Sequence, residues 1–228
     1  MDGKPYFAKT TKGKEEPIAY TIGWQPFLGL KIYLDSRPLI PRPETEWWTE
    51  QLLTNVGHLK SYIKFLDLCA GSGAIGCAAL ARLPNAEVFF GEIDPAHETT
   101  ILKNIRENNL DKSRSHICIG DLFEPFSDMQ FDIIAVNPPY IPADRELPKS
   151  VADYEPALAL RSGIDGLDLI RRIAASTRRR LVENGVLWCE CDSPTAETAR
   201  ALFEEQGLNA KILNDQYDQP RVICARMI

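Results

Sequence analysis

Apolar residues along this chain fall into two alternating kinds of run. Short blocks rich in β-branched and aromatic residues are each followed by glycines or polar turns, and then by a segment with apolar residues at helical spacing. "IKFLDL" (63–68) leads to "AGSGAIGCAALARL" (70–83), and "AEVFFGEI" (86–93) leads to "DPAHETTILKNIRENN" (94–109). "HICIGDLF" precedes the strand-like "FDIIAV" (131–136), "GLDLIRRIAASTRRRLVENG" reads as helix over 166–185, and "VLWCEC" reads as strand. A helix over 195–206 and strands near 210–214 and 221–227 close the chain. Strands alternating with helices predict a parallel sheet wrapped on both faces. We expect one α/β unit over 59–228, preceded by a tail over 1–16 and by a hairpin and helix over 17–58.

Two stretches depart from that rhythm. "PIAYTIGWQPFLGLKIYLD" (17–35) alternates and carries Gly23 and Gly29, which predicts a hairpin or meander. The following "LIPRPETEWWTEQLLTNV" places Pro43 at a first helical position, with Leu52, Leu53 and Val56 at helical spacing. Residues 141–164 contain three prolines and no clean period. Irregular loops of that length often serve as lids or binding loops.

Composition adds limits. The 228 residues are 44% hydrophobic and 25% charged, enough for a sizeable core. No apolar run reaches the roughly 18–20 residues of a membrane helix, and the Lys-containing N-terminus reads as a solvated tail without a secretory core. The net charge of −6 argues against a nucleic-acid partner, whose binders usually carry a basic face. The six cysteines form no C-x-x-C pair and no histidines have metal spacing, so a cytoplasmic protein with reduced cysteines and no metal is expected.

Candidate chemistry gathers where strands end. After "FLDL", Gly71-Ser72-Gly73 opens a helix, where backbone can approach a ligand closely. Gly76 comes three residues after Gly73, the G-x-G-x-x-G spacing of the dinucleotide fingerprint, and on its own that pattern is a weak signal for which ligand the loop holds. At the next strand end, Asp94 before Pro95 suits a helix cap, which leaves Glu92 for a ribose diol. Asp121, followed by Leu122 and Phe123, either accepts from an exocyclic amine beside a purine or caps a turn.

The fourth strand stops on Asn137-Pro138-Pro139-Tyr140. Such a string arises by chance in about one chain of this length in several hundred, so a plain stiff turn is the weaker explanation. Asn137 offers a side-chain carbonyl and Pro138 a backbone carbonyl, held by the fixed φ of Pro139. Two fixed acceptors can grip both hydrogens of a planar –NH2 group while Tyr140 packs on its face. They orient a delocalised nitrogen lone pair toward an electrophile.

"DLCAGSGAIG", Glu92, "DLF" and "NPPY", in this order, resemble the S-adenosylmethionine-dependent amino-methyltransferases. "YTIGWQPFLGLKI", "LIPRPETEWW", "NPPYIP", "YEPALAL" and "DGLDLIRRI" narrow the resemblance to the peptide-chain release factor N(5)-glutamine methyltransferases, from about residue 17 onward. The resemblance implies a Rossmann-like methyltransferase fold of the α/β class, with a mostly parallel seven-stranded sheet, one strand reversed, and 59–228 as catalytic domain. It implies methylation of the glutamine in the Gly-Gly-Gln loop of a release factor by a cytoplasmic monomer. Cofactor contacts are implied at Asp67, Cys69, Ala70, Gly71, Ser72, Gly73, Glu92, Asp121, Leu122 and Asn137. Asn137, Pro138 and Tyr140 are implied as catalytic, and Asn137 to Tyr140 with Phe27, Arg42 and Thr45 as substrate contacts.

Three departures qualify the resemblance. Cys69 stands where the family has glycine, and only a short tail stands where it has an N-terminal helical domain. "CECDSPT" keeps Glu190 but lacks the glutamine-rich turn. Residue chemistry alone leaves other readings open: methylation of a ribosomal-protein glutamine, methylation of an adenine or guanine amine, and a non-catalytic cofactor-binding subunit.

Overall fold

Strands β3 (Ile63–Leu68), β4 (Ala86–Glu92), β5 (Ser115–Ile119), β6 (Phe131–Val136), β7 (Leu181–Glu190), β8 (Asn209–Asn214) and β9 (Pro220–Arg226) form a seven-stranded sheet in the order β5-β4-β3-β6-β7-β9-β8. A computed structural model describes residues 16–56 and 62–227. The expected 1–16 tail and the junction at residues 58 and 59 lie essentially outside the described residues. Neighbouring strands from β5 to β7 are parallel, and β9 runs antiparallel to both β7 and β8. One reversed strand in a seven-stranded sheet is what the resemblance implies. The strand order reverses direction at β3 and β6, so a crevice opens between the loops that follow them.

Period-two alternation explains why both sheet faces are covered. On β3, Ile63 and Phe65 join one core cluster, while Leu66 and Leu68 join the other. The first cluster includes residues of α2 (Pro43–Val56), α3 (Ala74–Arg82) and α4 (Ala96–Glu107). The second includes residues of α6 (Asp168–Arg180) and α7 (Ala196–Glu204). Phe65 and Phe90 are fully buried, and truncating either to alanine costs about 3–5 kcal/mol at such sites. Gly76 on α3 faces β4 so closely that a Cβ there would overlap the Phe90 ring. Its lack of a side chain sets the helix-to-sheet distance behind the first loop.

The N-terminal segment differs from the expected hairpin or meander in its first part. Ile18–Ile22 form a short helix, α1, which Pro17 starts and Gly23, at φ 82°, stops. The Gly23 N–H bonds the Ala19 carbonyl at 2.9 Å. Five residues are too few for alternation to separate helix from strand, and the proline–glycine bracket decides. The hairpin itself is β1 (Trp24–Phe27) and β2 (Leu30–Tyr33), joined by Leu28 and Gly29, both at positive φ. That is the mirror-image turn suited to the strand twist. The Leu28 N–H donates to Glu46 Oε1 at 2.6 Å, which ties the turn to α2.

Helix α6 ends at Arg180, five residues before the expected end. Leu181, fully buried, pairs with Phe131 instead and begins β7. The irregular stretch 141–164 holds a short α-helix, α5 (Lys149–Ala152), and a 3-10 turn over Ala157–Ala159, and is tied down along its length. Ile141 bonds Leu160 through backbone at 2.9 Å, and Arg161 Nη1 donates to the Pro142 and Arg145 carbonyls at 2.7 Å. Glu155, whose side chain is 0% exposed, accepts from the Ile40 N–H at 3.2 Å and from Arg42 Nη2 at 2.6 Å.

Candidate active site

The loop after β3 and the end of β4 meet through Glu92. One carboxylate oxygen accepts the Gly71 N–H at 2.7 Å, and the other accepts those of Ile93 and Asp94 at 2.9 Å. Asp94 in turn accepts the Ala96 N–H at 2.9 Å, so it caps α4 as its position before Pro95 suggested. The loop reaches Glu92 by alternating through the left-handed region, with φ of 59° at Cys69, 55° at Gly71 and 76° at Gly73. Cys69 takes a conformation that favours glycine, at a cost of about 1–2 kcal/mol. Burial, and then nearby carboxylates, push its thiol pKa up.

Asp67 lies beneath this loop and is fully buried. Its Oδ2 accepts the Gly76 N–H at 2.8 Å, whereas Oδ1 is buried with no hydrogen-bond partner. Burial raises its carboxyl pKa well above the ordinary value, against the Gly76 bond. Asp121 pairs with Arg172 Nη2 at 2.7 Å. Leu122 and Phe123 are packed into the second core cluster. The apolar surface left open at these strand ends belongs to Ile93 and Ile119, 46% and 37% exposed. These two isoleucines were not singled out in the sequence, where each reads as an ordinary strand residue.

The second half of the site surrounds the end of β6. Asn137 Nδ2 donates to Thr45 Oγ1 at 3.1 Å. Thr45 Oγ1 and Trp48 Nε1 both donate to Glu190 Oε2 at 2.7 Å, and the Tyr140 hydroxyl donates to Glu190 Oε1 at 2.9 Å. Glu190 is 1% exposed, so its charge depends on these donors and on nearby Arg221. Burial opposes the Arg221 charge, but Tyr140, Glu190 and Asp215 hold its pKa above the usual value. Burial, then the Glu190 charge, pushes the Tyr140 phenol well up.

Local periodicity explains how these groups meet. Thr45, Trp48 and Leu52 lie at i, i+3 and i+7 on one face of α2. Trp188 and Glu190 lie two apart on one face of β7. Docking the helix on the sheet sets the Trp48 and Trp188 rings 6.4 Å apart between centroids and puts the Glu190 carboxylate under Thr45. Glu190 was noted in the sequence but given no role, and Trp48 was not noted. The available signal was a lone carboxylate in an apolar strand and polar donors on the apolar face of a helix.

A cavity of about 900 Å3 opens beside this cluster, with Arg42, Asn137, Pro138, Tyr140, Glu190 and Arg221 among its walls. The stretch 141–164 forms one side, held by the Arg145–Asp192 ion pair at 2.6 Å and by Arg42–Glu155. Thr45 sits behind Asn137 rather than in the cavity wall. Phe27 is 1% exposed in the first core cluster and is not among the cavity's walls. Its place at the hairpin turn facing α2 buries it.

This mostly parallel seven-stranded sheet with helices on both faces defines a Rossmann-like methyltransferase of the S-adenosylmethionine-dependent class. A methyltransferase from Pyrococcus furiosus shares it with a TM-score of 0.64 at 15% identity, over 92% of this chain and 91% of that one. A T. thermophilus 16S rRNA N2 G1207 methyltransferase shares it with a TM-score of 0.62 at 20% identity, over 90% of this chain and 50% of that one. Residues 48–153 match the family described as Methyltransferase small domain. The release factor glutamine methyltransferase of Clostridium acetobutylicum is 37% identical over 229 residues, 97% of this chain and 79% of the relative. That of Chlamydia trachomatis serovar L2 is 34% identical over 206 residues, 90% of this chain and 70% of the relative. The chain belongs to the release factor glutamine methyltransferase family.

Proposed function

We propose that this protein transfers a methyl group from S-adenosylmethionine to the side-chain amide nitrogen of a release-factor glutamine, the one in its Gly-Gly-Gln loop. The observation that carries the reading is the Asn137–Tyr140 turn at the cavity wall, with the Asn137 –NH2 engaged by Thr45. The Asn137 Oδ1 and the Pro138 carbonyl are then the acceptors offered to a substrate –NH2. The activity of the family, on a release-factor glutamine, supplies the identity of the amide.

The cofactor half fits its ligand on three observations. Asp67 Oδ1 is a buried polar atom without a hydrogen-bond partner. Glu92 stands at a strand end beside the left-handed loop, and Ile93 and Ile119 leave apolar surface for a planar ring. Asp67, Cys69 to Gly73, Glu92, Asp121, Leu122 and Asn137 would hold the cofactor, which when bound supplies a methyl group on a positively charged sulfur. Asn137 Oδ1 and the Pro138 carbonyl hold the two N–H groups of the glutamine and turn its nitrogen toward the cofactor side. The Tyr140 ring supports the amide plane. No residue has to remove a proton first, because the nitrogen becomes acidic only as the new N–C bond forms. Catalysis then rests on position and fixed dipoles. Arg42, walling the cavity, would contact the substrate. The six free cysteines support a cytoplasmic location.

Purified protein, methyl-labelled cofactor and a bacterial-type release factor provide the test. Peptide mapping is expected to place the label on the Gly-Gly-Gln glutamine. An unlabelled glutamine, on a substrate that another member of the family labels, overturns the proposal.

A further inference from the structure

An asparagine amide is nearly the same shape either way round, so only its hydrogen bonds decide which end faces a ligand. The proposed function needs the Asn137 oxygen, not its –NH2, turned to the substrate. Trp48 carries a donor and no acceptor, and its N–H addresses Glu190 Oε2 at 2.7 Å, which makes that oxygen an acceptor. Thr45 has one hydroxyl proton and spends it on the same oxygen at 2.7 Å. Thr45 Oγ1 is left with lone pairs only toward Asn137, so the group facing it at 3.1 Å has to be Nδ2. Trp48, Thr45 and Glu190 are 0%, 4% and 1% exposed, which keeps water from standing in for any of them.

We infer that Trp48, Glu190 and Thr45 are positioning residues that set the polarity of Asn137 and thereby determine which end of a substrate amide the site accepts. With Oδ1 facing the cavity, the site takes the –NH2 end and turns away the carbonyl end. It equally repels a carboxylate, so glutamate in place of the glutamine finds only acceptors. Reversal of Asn137 would present a donor and favour the oxygen end, which is the wrong atom to methylate. The chain of bonds links residues 45, 48, 137 and 190 and orients the substrate amide through Asn137, while Tyr140 bonds the same carboxylate. This inference deepens the proposed function and rests on it.

Two measurements separate the inference from that reading. The first needs no substrate: side-chain 15N NMR of Asn137 with Thr45→Val and Thr45→Ser. Valine keeps the shape and removes the acceptor, while serine restores it. Hydrogen exchange of the Asn137 –NH2 is expected to be about tenfold faster in Thr45→Val than in the wild type or Thr45→Ser, as loss of one net hydrogen bond predicts. Equal exchange in all three, each folded by circular dichroism, overturns the inference whatever the enzyme methylates. The second is turnover of the release factor. Thr45→Val is expected to lower kcat by about 10- to 100-fold with KM changed less, and Thr45→Ser to recover most of the loss. A Thr45→Ser enzyme as slow as Thr45→Val shows that volume, not hydrogen bonding, matters and also overturns the inference. A wild type that exchanges as expected but labels no glutamine overturns the proposed function instead.

Discussion

The two halves of the crevice are built by opposite means. The cofactor half is stitched from backbone: Glu92 holds three N–H groups of nearby loops, and Asp67 holds a fourth. All of these groups lie between residues 67 and 94, on two consecutive strand–loop–helix units. The substrate half is stitched from side chains that are far apart in the chain, with Thr45 and Glu190 separated by 145 positions. Backbone cradles tolerate variation in side chains, as Cys69 at a glycine-favouring φ of 59° illustrates. A side-chain network has no such latitude, because each buried donor has one acceptor. Under the proposed function, the first half supplies affinity for the cofactor and the second the choice of substrate.

That division can be broken. Asn137→Ala removes the acceptor at the end of β6 and should lower kcat by about 1,000-fold or more. Cofactor Kd, read by calorimetry, should stay within about tenfold of the wild type. Much weaker cofactor binding would show that the halves are not separable. Glu92→Gln is the converse. A glutamine cannot accept on both sides, so the Gly71 or the Ile93 and Asp94 N–H groups lose their partner. Cofactor Kd should rise about 10- to 100-fold, with kcat at saturation near the wild type. An unchanged Kd would leave Glu92 as a loop staple only.

Smaller effects sharpen the contrast. Glu190→Gln can keep its carbonyl on Trp48 and Thr45 and turn its –NH2 to Tyr140, which must then accept. Because the Thr45–Asn137 bond survives, kcat should fall by only about tenfold or less, a milder loss than for Thr45→Val. A larger loss would mean that the negative charge itself contributes. Gly76→Ala drives a methyl into the Phe90 ring behind the cofactor loop, and urea unfolding should register about 1–3 kcal/mol of lost stability. Cys69→Gly relieves the left-handed backbone and should change stability by no more than about 1 kcal/mol, in favour of glycine. A clear destabilisation would show that the packing of the Cys69 side chain outweighs the strain.

Particular residues show how much was legible beforehand. Asp67, Glu92, Asp121 and Asn137 could be placed at or within two residues of strand ends because apolar runs stop there and the parallel α/β pattern sends the carboxyl ends to one crevice. The cap at Asp94 was legible for the same local reason. Phe27 was not: a hairpin residue near a conspicuous motif looks exposed until α2 covers it. Leu122 and Phe123 lie in the second core cluster, and the exposed apolar surface beside them is that of Ile93 and Ile119, which the sequence did not single out. The difference is one of register at a strand end, which periodicity cannot resolve to a single residue.

The sequence by itself determined the element order, the parallel sheet and the acceptor-bearing turn Asn137–Tyr140, because each depends on periodicity or on proline and glycine within a few neighbours. Only the tertiary structure decided which way Asn137 faces. That polarity depends on a single hydroxyl proton at Thr45, committed to a carboxylate 145 residues away. The carboxylate is an acceptor there because docking α2 on β7 buries it beside the Trp48 indole. No local pattern encodes that contact, and the orientation of one amide follows from it.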